Sequence, residues 1–195
     1  MKLVLASKNK KKLVEMNDIL SQLGVEVCSE AEAGVDVDVE ETGGTFEENS
    51  LLKARAVMEA SGLPAVADDS GLCVDSLGGA PGVYSARYGG GGLDDAARYR
   101  LLLEKLRGQT VRTAKFVSVI TCCFPNGDVL SARGECPGVI AQAPAGEGGF
   151  GYDPVFFLPE LDKTFAQLSA GEKNAISHRG KALAAFREKL RTYLE

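Results

Sequence analysis

Several things are scarce in this chain of 195 residues, and each scarcity excludes something. There is one histidine, and the five cysteines (Cys28, Cys73, Cys122, Cys123 and Cys136) form an odd set without a CxxC pair. That argues against a zinc site and reads as reduced, structural thiols. No apolar run approaches the roughly 18 residues needed to cross a bilayer, and the opening MKLVLASKNKKK is too short in its apolar part for a signal peptide. A cytoplasmic protein without a membrane partner is expected. Positive charge is not in excess: 22 Lys+Arg stand against 27 Asp+Glu, a net charge of −5, which argues against binding nucleic-acid polymers or anionic membranes. Small anionic ligands held by a local pocket stay open. Internal repeats and low-complexity segments are also missing. A composition 45% hydrophobic and 25% charged then fits one soluble domain over residues 1–195.

What is present alternates between strand and helix patterns. The apolar LVLAS precedes a segment with Leu13, Met16, Leu20 and Leu23 at helical spacing, closed by Gly24. VEVCSE (25–30) and VDVDV (35–39) alternate like half-exposed strands. Thr45 and Glu48 are spaced as a capping box for the helix ENSLLKARAVMEAS, which Gly62 ends. PAVA then reads as a buried strand interrupted by DDSG and resumed by LCVDSL, before the long glycine-rich loop GGAPGVYSARYGGGG. Asp94 or Asp95 can cap the next helix. KFVSVITCCF, the turn PNGD and VLSARGE read as a hairpin, and after GEGGFGYD come the strand PVFFLP, a Ser169/Glu172 capping box and a last helix carrying Leu183, Phe186, Leu190 and Leu194. Helices alternating with strands, one pair of them antiparallel, predict an α/β layered domain with a mixed central sheet flanked by helices.

Five clusters carry candidate chemistry. Ser7, Asn9 and Lys12 follow a strand and open a helix, where free N–H groups favour phosphate, although a solvated Lys10-Lys11-Lys12 run is an equal reading. The turn lacks both the Walker spacing and the three-glycine dinucleotide fingerprint. Glu40, Glu41, Asp68 and Asp69 sit at expected strand ends, and a Glu41–Asp69 pair suits Mg²⁺, which takes one or two carboxylates plus substrate phosphates. Lys53 on the following helix could reach back toward the acidic turns or a phosphate, although periodicity alone favours a surface lysine. GGFGYD sets Phe150, Tyr152 and Asp153 among glycines, either a platform for a planar ring or an ordinary strand-entry turn. Lys173 and Ile176-Ser177-His178-Arg179-Gly180 hold the lone histidine near the start of the last helix; Ser177 beside it in sequence disfavours a Ser-His nucleophile.

In order, SxNxxK, EETGxTFxENxxLKA, ADDSGLxVDxLxGxPGVYSARY, GGFGYDPxF and KxxxSHRGxAL resemble the inosine triphosphate pyrophosphatase family, specifically its bacterial branch acting on non-standard purine nucleotides. The likeness runs from Lys2 to the final helix. It implies hydrolysis of ITP, dITP and XTP to monophosphate and pyrophosphate, with Mg²⁺, by a homodimer of an elongated α/β fold. Carried onto this chain, it makes Ser7, Lys8, Asn9, Lys10, Lys11 and Lys12 the phosphate-binding turn, with Lys12 pointing inward. Lys53 becomes the helix lysine, Glu41 and Asp69 the magnesium carboxylates, and Asp69 also the proton acceptor. Ser70 and Lys173 become substrate contacts, Phe150, Gly151, Tyr152 and Asp153 the base-binding segment, and His178 with Arg179 the pair beside the purine. Ser7 stands where many members have threonine and Lys11 where glycine is frequent; Gly89 to Gly92 depart from the usual loop composition. Alternatives are a pyrophosphatase on modified pyrimidine nucleotides, a nucleotide-binding protein without turnover, and a phosphomonoesterase of the aspartyl-phosphate type.

Overall fold

The computed structural model describes residues 1–195 except the side chain of Lys11, so the expectation placed on that lysine lies outside the described residues. One mixed sheet of seven strands has the order β2-β1-β3-β4-β5-β6-β7. The chain divides into two compact units, Met1–Asp69 with Ser118–Gly134 and Lys181–Glu195, and Ser70–Val117 with Glu135–Gly180.

In the first unit, β1 (Lys2–Leu5) leads through Ser7 and Asn9 into α1 (Lys10–Leu20), and Gly24, at φ +67°, turns the chain into β2 (Glu26–Ser29). Asn17 pins β2 to α1 by accepting from Val27 N (2.8 Å) and donating to Val27 O (2.6 Å). The Thr45–Glu48 capping box opens α2 (Phe46–Ser61), and Gly62 closes it, both as the sequence predicts. β1 pairs in parallel with β2 and with the start of β3 (Ala65–Val74). Leu3, Leu5, Leu20, Val66, Ile120, Phe186 and Leu190 form the centre of a buried cluster. Burying one such side chain contributes about 1.5–3 kcal/mol.

Two sequence expectations are corrected here. Residues 35–39 are not a strand. Val35 and Val37 pack inward while Asp36 and Asp38 face water, which produces the alternation. Two of their N–H groups go to Glu30 instead: its buried carboxylate accepts from Val37 N (3.0 Å) and its carbonyl from Val35 N (3.0 Å). Nor does DDSG interrupt a strand. β1 stops at Leu5, opposite Val66, while β3 runs on through Asp68, Asp69 and Ser70 to Val74. The polar residues sit where the sheet has lost its β1 neighbour, so they need not break the strand.

In the second unit a 3-10 turn over Gly82–Arg87 organises the glycine-rich loop, and Asp94 caps α3 (Asp95–Lys105). β4 (Thr113–Cys123) and β5 (Val129–Ile140), each with residues in both units, are neighbours joined by the turn after Phe124 in the first unit, a connection short enough only for antiparallel pairing. β6 (Phe156–Leu158) and β7 (Lys163–Thr164) add antiparallel strands. The last helical region is two helices, α4 (Ala170–Ile176) and α5 (His178–Leu194). The Ser169–Glu172 box opens α4, and Ser177 ends it in extended geometry, its hydroxyl accepting from Gly180 N (3.1 Å). Of the four apolar residues expected inside along α5, Leu194 is exposed.

Candidate functional site

Two groups of polar side chains stand out, one in each unit. In the first, Lys53 reaches from α2 with its ammonium 2.8 Å from Glu41 Oε1, 3.0 Å from Asp69 Oδ1 and 3.0 Å from the Asp68 carbonyl. Its side chain is 16% exposed, so the surface reading from periodicity is corrected: two carboxylates and a carbonyl draw it inward. Beside this trio Lys12 Nζ pairs with the buried Asp68 Oδ1 at 2.6 Å. Glu41 lies on the irregular segment before α2, and the first turn of that helix holds the segment. Asn49 Oδ1 accepts from Gly43 N (2.8 Å), and Glu48 Oε2 from Gly44 N (2.7 Å). β1, α1 and the overrunning β3 thus bring charged groups to the carboxyl end of a parallel strand pair, where α/β sheets present functional groups.

Burial lifts the Asp69 carboxyl above its ordinary pKa; the Lys53 charge opposes this, and Glu41 and Asp68 add to it. Burial disfavours the Lys53 ammonium, but Asp69 and Glu41 outweigh it and raise that pKa as well. Both rise for different reasons: at Asp69 burial outweighs the lysine, and at Lys53 the two carboxylates outweigh burial. Asp69 Oδ2 is buried and has no hydrogen-bond partner. Such an oxygen is costly unless something binds it. Among the described residues no group of three or more His, Cys, Asp or Glu is placed to hold a metal. Glu41 and Asp69 with the unbonded oxygen therefore fit a hard cation that completes its shell with water and phosphate, not an all-protein cage.

The rest of the turn expected to bind phosphate faces a groove of about 630 Å³ lined by Ser7, Lys8, Asn9 and Lys10 together with Glu30 and Asp36. Ser7 Oγ accepts from Asn9 N at 3.2 Å, and Lys8 pairs with Asp36 at the surface (3.0 Å). Of the lysines whose side chains are described, Lys12 joins the carboxylates and Lys8 and Lys10 do not.

The second group surrounds a cavity of about 200 Å³ whose lining includes Ser70, Phe150, Gly151, Tyr152, Asp153, Lys173, His178 and Arg179. The Phe150 ring is 54% exposed, with Lys173 Nζ 4.7 Å and the Arg179 guanidinium 5.9 Å from its centre. Asp153 is buried; its Oδ2 accepts from Phe150 N (2.9 Å) and from Lys173 Nζ. Lys173 thus belongs to this second group. Tyr152 is an anchor: its buried hydroxyl donates to Ser85 O (2.8 Å), and burial pushes its pKa up. His178 lies flat on Phe116, centroids 4.7 Å apart at 13°, and Phe116 stacks in turn on Phe165. The cavity therefore has aromatic walls, an exposed ring at its edge and cationic donors beside it, which suits a planar, acceptor-bearing ligand. Sequence reasoning missed Phe116, Ser85, Arg98 and Asp95 in this lining. Phe116 meets His178, Ser85 meets Tyr152 and Asp95 meets Gly151 across long stretches of sequence, whereas Arg98 is tied locally to Asp95 and Leu93; Asp95 by itself reads as nothing more than a helix-start acid.

Charged groups gathered at the open end of a parallel strand pair, with an aromatic-walled cavity in the second unit, define a ligand-binding α/β protein. Within that class the chain belongs to the Ham1 family, whose sequence model matches residues 3–189. It is 52% identical over 193 residues to the dITP/XTP pyrophosphatase of Haemophilus influenzae, covering 97% of this chain and 98% of that one. The dITP/XTP pyrophosphatase of Desulforamulus reducens is also 52% identical, over 94% of this chain and 92% of its own length. Among solved structures, the Staphylococcus aureus Ham1 protein superposes with a TM-score of 0.93 at 44% identity, over 99% of this chain and 100% of that one. A dITP/XTP pyrophosphatase from Mycobacterium abscessus matches at 0.83 and 46%, over 95% of this chain and 98% of that one.

Proposed function

We propose that this protein hydrolyses the non-standard purine nucleotides ITP, dITP and XTP to the monophosphate and pyrophosphate, clearing them from the cytoplasmic nucleotide pool. The observation that carries the reading is the Lys53 ammonium held between Glu41 and Asp69, with a buried, unbonded Asp69 oxygen beside it, in a chain half identical to dITP/XTP pyrophosphatases. Glu41 and Asp69 would hold Mg²⁺, which when bound neutralises phosphate charge and polarises the phosphoryl oxygens. Asp69 accepts the proton of the water that attacks the α-phosphorus, a role its raised pKa suits. Lys12 and Lys53 offset charge on the phosphate oxygens as pyrophosphate leaves. Proton, water and leaving group balance without a covalent intermediate.

The cavity of the second unit serves the base. Phe150 offers a face for stacking, and Arg179 offers donors that suit the 6-carbonyl of hypoxanthine and xanthine and repel the 6-amino group of adenine. Sites built on such hydrogen bonds discriminate by about 10⁴ because the wrong partner leaves buried groups unpaired. Guanine shares the carbonyl, so rejection of GTP falls to its 2-amino group. A homodimer is the expected assembly.

The test is release of pyrophosphate and monophosphate from ITP, XTP, GTP, ATP and dTTP, each with Mg²⁺ and with chelator. Metal-dependent pyrophosphate release confined to ITP and XTP is expected. Phosphate in place of pyrophosphate, or turnover of dTTP, would overturn the reading.

A further inference from the structure

The Phe150 ring is more than half exposed, so core packing does not fix its direction. Its orientation depends on the backbone of residues 150–153, and that backbone is tied from two sides. Within the segment, Asp153 takes Phe150 N. From outside, Asp95 Oδ2 accepts from Gly151 N at 2.7 Å, across 56 residues of sequence. Asp95 opens α3 but does not cap it, since Asp94 already accepts from Ala97 N (2.7 Å). The Asp95 carboxylate is held in turn by Arg98, whose NH1 lies 3.2 Å from Oδ1 and whose NH2 donates to Leu93 O (2.8 Å) at the end of the glycine-rich loop. Arg98 is buried and lines the same cavity.

We propose that Asp95 is a positioning residue: through the Gly151 amide it fixes the angle at which Phe150 meets the base, and through Arg98 it ties that angle to the glycine-rich loop. This rests on the reading of the second unit's cavity as the base site. An alternative role for Asp95, as a negative charge favouring the helix dipole at the start of α3, predicts loss of stability with no effect on the base.

The experiment compares Asp95→Ala, Asp95→Asn and Asp94→Ala with the wild type. ITP turnover, inhibition by IMP, inhibition by pyrophosphate and amide exchange at Gly151 are measured for each. In Asp95→Ala, KM for ITP and the IMP inhibition constant are expected to rise about fivefold, the scale of one partly exposed, charge-assisted hydrogen bond. kcat and pyrophosphate inhibition stay within about twofold on the same scale, and Gly151 exchange accelerates. Asp95→Asn keeps an acceptor oxygen and recovers most of the affinity. Asp94→Ala lowers the melting temperature and leaves KM unchanged. Unchanged IMP inhibition and unchanged Gly151 exchange in Asp95→Ala would overturn the proposal, as would an equal weakening of IMP and pyrophosphate. A wild type that does not hydrolyse ITP would instead overturn the proposed function, and the exchange rate at Gly151 would still decide whether Asp95 holds the segment.

Discussion

Replacing Lys53 with Met keeps an unbranched chain as far as Cε and removes the ammonium shared by Glu41 and Asp69. Both carboxylates touch the same ammonium, at 2.8 and 3.0 Å, so the two oxygens are at most about 6 Å apart. With an effective dielectric of about 20, two negative charges at that separation repel by about 3 kcal/mol. For a chain of this size that corresponds to a fall in melting temperature of roughly 6–12 °C. The pH dependence has a definite sign. The folded-state pKa of Asp69 already lies above its unfolded value, so the native state gains stability as pH falls through that raised pKa, and removing Lys53 raises it further. Lys53 stays charged throughout this range because its own pKa is also raised. The gap between wild type and variant should therefore be widest at alkaline pH and narrow as pH falls through the raised Asp69 pKa. Mg²⁺ should stabilise the variant more than the wild type, because two uncompensated carboxylates attract it more strongly. Circular dichroism melts suit the measurement, since the chain has no tryptophan. A variant within 2 °C of wild type at pH 8, or a gap that widens on acidification, would refute the argument; the 2 °C margin is roughly half a kcal/mol.

Asp69→Asn should lower kcat by about 10³-fold or more while the protein still melts cooperatively; turnover near wild type would move the proton acceptor elsewhere. Gly43→Ala places a Cβ 2.6 Å from Asn49 Oδ1 and 2.7 Å from Glu48 Cβ, so the Gly43–Asn49 hydrogen bond breaks and Glu41 shifts. Raised Mg²⁺ demand in steady-state assays is the expected readout. Phe150→Ala should raise KM for ITP with little change in kcat, checked by the same assay. Burial raises the pKa of Cys28, Cys122 and Cys123 and keeps them as thiols, so a thiol-specific reagent should modify native protein no faster than at the partly exposed Cys73 and reach all five cysteines only after denaturation.

Helix limits were legible because their signals are local: the Thr45 and Ser169 boxes and the glycine stops each depend on a few consecutive residues. The two corrected segments fail for a different reason. Period-two alternation reports that side chains alternate between core and water, which Val35 to Val39 do, but not whether a neighbouring strand takes the backbone groups; here Glu30 accepts from Val35 N and Val37 N. The polar run Asp68–Gly71 suggests a break, yet a strand that outruns its neighbour has room for carboxylates at no cost to the sheet. In the candidate site, Glu41, Asp69 and the Phe150 segment were visible as motifs. The inward reach of Lys53 was visible only as one of two readings and the Asp95–Gly151 hydrogen bond not at all, since each depends on partners brought together by folding.

The pairing of Lys12 with Asp68, and of Lys53 with Glu41 and Asp69, means that the charges meant for a ligand already neutralise one another in the resting protein. On the proposed function, binding a polyanion with its cation would be an exchange of partners inside the molecule: the lysines would leave carboxylates for phosphate while Glu41 and Asp69 would take the metal. Little mobile salt is displaced in such an exchange, unlike the counterion release that governs binding to nucleic acids. Substrate affinity should accordingly respond only weakly to ionic strength, so that nucleotide binding in concentrated salt stays close to that in dilute buffer.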